Sequence, residues 1–283
     1  MKARSIFLDG KMVKASTALM DSLAPGVVEG QGVFETMRVA RGKVADLDEH
    51  LARLSRGLRL LKMRAPYSKD KLARCLSRTL AANGLRRARI RLAVWKEGRR
   101  VRISIVCRPL SGYTDRQYKK GLKAVVLEIK RRKTRFAHIK SLDYGVFRRA
   151  FLEAKRAGCD EAVLLNSRRE IVEGSRTNIF FVKRGILYTP AVKCGALNGI
   201  TRRQVIRCAR KEKIPCRAVA AGIRKLLGAD EAFVTNSLIG VMPLTVVAGR
   251  PVASGRAGPV TRKLLRAYCT NAHSSCPAPR KSV

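Results

Sequence analysis

The first 110 residues carry two hydrophobic periods side by side, and that mixture constrains the fold more than any other feature of the chain. Val33, Glu35, Met37 and Val39 alternate with Phe34, Thr36 and Arg38, the period of two that sends successive side chains to opposite faces of a strand. Arg41-Gly42-Lys43 then reads as a hairpin turn, after which Val44 to Leu47 return. Leu51, Leu54, Leu58 and Leu61 recur at helical spacing, giving an amphipathic helix over 48–62 with Asp48 and Glu49 at its positive end. Ser68 caps a second helix built on Leu72, Leu76 and Leu80, and Asn83-Gly84 stops it. Ile90, Leu92 and Val94 alternate again, as do Val101, Ile103 and Ile105 beyond the turn at Glu97-Gly98-Arg99-Arg100. With a first strand ending at Asp9-Gly10, these elements predict a small α+β domain over 1–110.

Residues 111–121 read as a polar linker and 122–270 as a larger second domain. The pattern there predicts a strand from Lys123 to Ile129, helices over 145–157 and from Thr201, strands at 161–166, 177–183, 186–189 and 231–235, and a last helix over 259–269. Met242-Pro243 reads as the end of an element. Residues 271–283, rich in Ser, Pro and basic side chains, read as a disordered tail.

Three short stretches carry chemistry. Lys140 lies in Phe136-Ala137-His138-Ile139-Lys140-Ser141-Leu142, an apolar flank that would desolvate an ammonium toward a usable amine. Glu173 enters a strand, and Gly199-Ile200-Thr201 opens a helix whose N–H groups suit a phosphate. Taken singly, each has a plainer meaning: a surface lysine, a turn carboxylate, a helix start with a threonine cap. Gly30-Gln31-Gly32 is no dinucleotide fingerprint, since it lacks a third glycine and leads into a strand.

Charge does not choose among functions. The 61 Lys and Arg against 20 Asp and Glu give a formal net charge of +41, yet the basic residues run through every segment and aromatic residues make up only 5%. That favours a solvated basic surface over a specific nucleic-acid site, which stays as the alternative of another class. Eight cysteines without a C-x-x-C pair and three histidines argue against a structural metal or a disulfide framework and for reduced, cytoplasmic thiols. The opening residues hold too short an apolar run for a signal peptide, and no stretch approaches the roughly 20 apolar residues of a membrane span.

In their order along the chain, the three stretches resemble the fold-type IV pyridoxal phosphate enzymes, the class-IV aminotransferase family of branched-chain and D-amino acid aminotransferases and aminodeoxychorismate lyases. Gly30-x-Gly32-Val33-Phe34-Glu35-Thr36 is similar to the family's early glycine-rich strand and His50-Leu51-Ala52-Arg53-Leu54 to its His-x-x-Arg-Leu helix. The resemblance implies a two-domain fold, a small N-terminal α/β sandwich and a larger C-terminal pseudo-barrel, and a homodimer. It implies pyridoxal 5'-phosphate as cofactor, with Lys140 as the Schiff-base lysine and Glu173 at the pyridine nitrogen. Arg53, the N–H groups of Ile200 and Thr201, and Thr235 become the phosphate contacts. Glu29 and Asp143 depart from the family pattern, which has an aromatic residue and Asn there. Thr235 to Pro243, together with Phe34 to Val39, looks most like the lyase branch, in which Thr36 assists proton transfer. The expected activity is therefore conversion of 4-amino-4-deoxychorismate to 4-aminobenzoate and pyruvate, with a branched-chain or D-amino acid aminotransferase as the alternative. Lys96 or a neighbouring arginine would receive a carboxylate of the small amino substrate.

Overall fold

The computed structural model describes residues 4–24, 31–110, 112–128 and 139–271, and they divide into two compact units. The first holds the described residues up to Leu110 together with Ile139–Gly145. Its elements are β1 (Arg4–Leu8), β2 (Lys11–Ala15), α1 (Thr17–Ser22), β3 (Gly32–Ala40), β4 (Lys43–Val44), α2 (Leu47–Leu60), α3 (Lys69–Ala82), β5 (Ala88–Glu97) and β6 (Arg100–Pro109). The strands form one antiparallel sheet in the order β2-β1-β6-β5-β3-β4. Arg41 and Gly42 both adopt positive φ (52° and 78°), the backbone that lets a two-residue turn follow the twist of β3 and β4.

The two faces of this sheet follow from the alternation in β3. Val33, Glu35, Met37 and Val39 share the face on which α2 packs. Leu51, Leu54 and Leu58 of α2 and Leu72, Leu76 and Leu80 of α3 are buried, each contributing about 1.5–3 kcal/mol of apolar transfer. Phe34 lies on the opposite face in a cluster with Ile6, Met20, Ala93, Trp95, Val106 and Leu142.

The second unit comprises α4 (Asp115–Lys120), β7 (Leu122–Glu128), α5 (Gly145–Arg156), β8 (Glu161–Leu165), β9 (Ile171–Gly174), β10 (Asn178–Lys183), β11 (Ile186–Pro190), α6 (Ile200–Lys211), β12 (Cys216–Val219), α7 (Ile223–Leu227), β13 (Glu231–Asn236), β14 (Gly240–Val247), β15 (Arg250–Pro251) and α8 (Pro259–Asn271). Nine strands run in the order β12-β11-β10-β13-β14-β7-β8-β9, with β15 on β14. The sheet curls until β9 at its end touches β10 and β11, the pseudo-barrel that the resemblance implies. Phe180 and Phe233 stack in its core at 4.9 Å between ring centroids. Glu231, at the start of β13, accepts hydrogen bonds from the N–H groups of Val260 (3.0 Å) and Thr261 (2.7 Å), so a buried carboxylate caps α8. A side chain at Gly258 would overlap that carboxylate.

Several expectations change. The segment read as a linker carries α4, closed by a capping box between Thr114 and Gln117, and Tyr118 on it is buried and donates to the Ile239 carbonyl at 2.6 Å. Met242-Pro243 ends nothing: it lies inside β14, where Pro243 faces Phe233 of β13 just before pairing with β7 begins at Leu244. Helix α8 runs on to Asn271, and the predicted disordered tail from 272 lies outside the described residues, as do Glu29, Gly30 and His138. Among the described residues no group of side chains could hold a metal ion and no helix is long and apolar enough to cross a membrane.

Replacing Glu231 with Ala leaves two buried N–H groups at the start of α8 without an acceptor and should cost about 2 kcal/mol. A thermal melt followed by circular dichroism should show a midpoint several degrees lower; an unchanged midpoint would mean that the carboxylate is no cap.

Candidate functional site

The sequence-predicted site residues fall into two groups, Thr36, Arg53 and Lys140 in the first unit and Glu173, Ile200, Thr201 and Thr235 in the second. Lys140 reaches the first unit through backbone pairing. Its carbonyl accepts from Phe34 N–H at 3.0 Å, and Leu142 N–H donates to the Gly32 carbonyl at 3.0 Å, so 140–142 runs antiparallel beside the start of β3. That approach needs a glycine: a Cβ on Gly32 would stand 2.7 Å from Leu142 Cδ1 and 2.5 Å from the Val94 carbonyl. The half-buried Lys140 ammonium lies 4.6 Å from the centre of the Phe34 ring, a cation–π contact that Tyr144 borders, packed edge-on against Phe34 at 5.4 Å. Asp143 is exposed and its N–H donates to Ser141 Oγ at 3.1 Å.

Phe34, Thr36 and Arg38 share one face of β3, so Thr36 stands on the same face as the ring under Lys140. This face continues into a row of arginines. Arg38 is opposite Arg89 on β5, Arg89 is opposite Arg108 on β6, and Thr36 is opposite Arg91. Burial, then the charges of Arg89 and Arg108, lower Arg91 to about 10, against a small upward pull from Asp21. Arg91 Nη2 donates to the Met20 carbonyl at 3.1 Å. Lys96, by contrast, is exposed near the end of β5.

Arg53 belongs to the other face. Glu35, wholly buried on β3, accepts from Arg53 Nε at Oε1 (2.7 Å) and from Arg53 Nη2 at Oε2 (2.6 Å), and His50 Nδ1 lies 2.7 Å from the same Oε2. Burial alone would raise the Glu35 carboxyl, but the Arg53 charge and the hydrogen bonds from Arg53 and His50 overcome it and hold the pKa at about 2.

In the second unit one side chain ties the predicted residues together. Asn178 opens β10 directly opposite Thr235 on β13, and its Nδ2 donates to Glu173 Oε2 at 3.3 Å and to the Leu197 carbonyl at 2.9 Å. Glu173 Oε2 also accepts from Leu197 N–H at 3.1 Å. A Cβ on Gly199 would overlap Asn178 Oδ1, so the glycine before α6 lets the helix start against this amide. Ile200 and Thr201 are the first two residues of α6, where N–H groups have no partner within the helix. No side chain caps that end and its first turn holds no acid. The hydroxyls of Thr201 and Thr235 are both buried without a hydrogen-bond partner. Two orphaned hydroxyls and an uncapped helix start form a donor set that suits a phosphate ester, so the residues present fit the implied cofactor. Arg202, buried in the same turn, is turned away onto Thr189 Oγ1 (3.3 Å) and the Pro190 carbonyl (3.2 Å); burial lowers its pKa.

Sequence reasoning missed Glu161. This buried carboxylate, first residue of β8, accepts from the N–H groups of Ala162 (2.8 Å) and Ser175 (2.9 Å), from Ser175 Oγ and from Thr177 Oγ1 (2.9 Å), and so fixes the turn between Glu173 and Asn178. The one available hint was a glutamate opening an otherwise apolar strand, Glu161-Ala162-Val163-Leu164-Leu165.

The Glu35 shift gives a pH prediction. Its folded pKa of about 2 lies below the reference value of 4.5, so its stabilisation is complete above about pH 5 and is lost as pH falls through about 2, a span worth roughly 3 kcal/mol. Acid unfolding of Glu35→Gln should therefore be flatter than wild type between those limits; parallel curves would contradict the assignment.

A family model described as amino-transferase class IV matches residues 32–247. A candidate branched-chain-amino-acid aminotransferase of Methanocaldococcus jannaschii is 33% identical, covering 92% of this chain and 93% of its own. D-alanine aminotransferase of Listeria monocytogenes is 28% identical over 96% and 97%. The solved branched-chain aminotransferase of Thermoproteus uzoniensis superposes with a TM-score of 0.82 at 30% identity, covering 94% of both chains. A structure described as a candidate 4-amino-4-deoxychorismate lyase from Legionella pneumophila gives 0.75 at 25% identity, covering 84% and 90%. The chain therefore belongs to the class IV aminotransferase family, the fold-type IV enzymes that use pyridoxal phosphate.

Proposed function

We propose that this protein is an aminotransferase that moves an amino group between a branched-chain amino acid and a 2-keto acid. The observation that carries it is similarity over nearly the full chain length to proteins named for that reaction. This reading is better supported than the lyase expected from Thr235 to Pro243 and Phe34 to Val39. Val241 and Met242 within the first of these stretches are buried in β14 against β13, so they report strand packing and carry little information about substrate.

Bound, pyridoxal phosphate supplies an aldehyde that captures amines and a protonated ring that accepts the electron pair left at the substrate's α-carbon. Lys140 would be the amine that holds the cofactor and would move the α-proton as base and then acid. Phe34 beneath its ammonium and Tyr144 beside it restrict where Nζ can reach. Thr36, on the same face, assists the proton transfer. Glu173, fixed by Asn178 and Leu197, keeps the proton on the ring nitrogen. Ile200 and Thr201 N–H, the hydroxyls of Thr201 and Thr235, and Arg53 bind the phosphate. The arginine row of β3, β5 and β6 supports recognition of the carboxylates that amino acid and keto acid both carry. The thiols are reduced and the protein cytoplasmic in this proposal, and it works as a homodimer.

The test is direct. Protein loaded with pyridoxal phosphate should convert leucine or valine with 2-oxoglutarate to the branched keto acid and glutamate, detected by mass spectrometry. Lys140→Ala should fold and bind cofactor but lose turnover by about three orders of magnitude or more. Release of 4-aminobenzoate and pyruvate from aminodeoxychorismate, without transamination, would overturn the proposal in favour of the lyase. Light scattering should give twice the chain mass of 31.3 kDa.

A further inference from the structure

We propose that Glu35 is a positioning residue that fixes which edge of Arg53 meets a phosphate, with His50 holding Glu35 in turn. This rests on the reading of Arg53 as a phosphate contact. Glu35 itself touches no ligand: its side chain is 1% exposed and that of Arg53 11%.

The geometry of the pair carries the inference. Glu35 grips Arg53 side-on, one oxygen on Nε and the other on Nη2. A guanidinium has five N–H donors, and this grip engages one on Nε and one on Nη2. The donors that remain belong to Nη1 and the far side of Nη2, the end of the fork whose spacing matches two oxygens of a phosphate. Arginine is otherwise a long, mobile side chain, and ordering it when a ligand arrives opposes binding. Here both carboxylate oxygens order it beforehand. His50, wholly buried on the same helix, places a ring nitrogen 2.7 Å from Oε2 and so restricts the carboxylate as well. The three residues occupy β3 and one turn of α2, so the sheet aims the arginine through the carboxylate.

The charge argument runs opposite to the positioning argument, which makes the two separable. Glu35 is ionised at any working pH, because Arg53 and His50 hold its carboxyl far below the usual range. Its negative charge cancels that of Arg53, so a simple electrostatic attraction for phosphate would grow if Glu35 became neutral. Positioning predicts the reverse: Gln in place of Glu leaves the arginine more positive yet binds phosphate more weakly.

The experiment is titration of the full chain, freed of cofactor with phenylhydrazine, with pyridoxal phosphate and separately with pyridoxal, which lacks the phosphate. Glu35→Gln should weaken pyridoxal phosphate binding about tenfold or more, the range for a lost hydrogen bond to a charged group, and leave pyridoxal binding within about twofold. Glu35→Asp keeps the charge and withdraws the carboxylate, so it should show the same selective loss. It also serves if Glu35→Gln fails to fold. Unchanged or tighter pyridoxal phosphate binding in either folded variant, or an equal loss of both ligands, overturns the proposal. Arg53→Ala separates the two levels. If it leaves pyridoxal phosphate affinity intact, the assignment of Arg53 to phosphate is wrong. If it weakens pyridoxal phosphate selectively while both Glu35 variants do not, the assignment stands and the positioning role falls.

Discussion

A carboxylate withdrawn from water persists only where fixed donors replace its hydration, and among the described residues four buried strand glutamates meet that condition. Glu35 on β3 takes Arg53 and His50 of α2. Glu161 on β8 takes the turn at Ser175–Thr177. Glu173 on β9 takes Asn178 and Leu197, and Glu231 on β13 takes the start of α8. Each begins in a sheet and ends on the element that the sheet must hold. The weaker direction of each pairing also matters. Were the carboxylate lost, its buried donors would be left unmet at about 1–3 kcal/mol apiece, so these contacts fix relative placement within each unit more firmly than apolar packing alone.

Much of the first unit was legible because its signals are local. Alternation in 33–39, in 90–94 and in 101–105 and leucine spacing in 51–61 each depend on residues within one element, and Ser68, read as a helix cap, accepts the Lys71 N–H at 3.3 Å. What failed to show in the sequence depends on distant partners. Helix α4 is six residues long, too short to display a period, and it is anchored by a Tyr118 bond to a carbonyl far along the chain. Pro243 sits within a strand because the side of β14 facing β7 is unpaired until the next residue, a fact that only register reveals.

The site was half legible for the same reason. Ile200 and Thr201 read as a helix start and Thr235 comes only from the resemblance; Thr201 and Thr235 carry orphaned hydroxyls. The Lys140 loop was expected with the second domain, yet its backbone pairs with β3, and 139–145 groups with the first unit. Apolar residues flanking Lys140 in the sequence give no sign of which element the loop pairs with. Glu161 lies well over ten residues before the turn it fixes, beyond the reach of any local pattern.

The arginine row bears on substrate class by a separate route. Like charges opposite one another on a sheet destabilise it, and Arg38, Arg89 and Arg108 stand at successive opposite positions. Arg91 is lowered to about 10 by burial first and then by the last two charges, and it stays charged near neutral pH. Within the unit Asp21 offsets part of this charge by pairing with Arg108. Under the proposed function a substrate carboxylate placed there would offset more of it. In the proposed aminotransfer the apolar side chain of a branched-chain substrate would gain nothing from arginines, so the row would serve the carboxylate of the amino acid or the second carboxylate of an acidic keto acid. In that proposal the position of the Lys140 loop relative to the row rests on the Gly32 contact, which lets the loop lie close to β3.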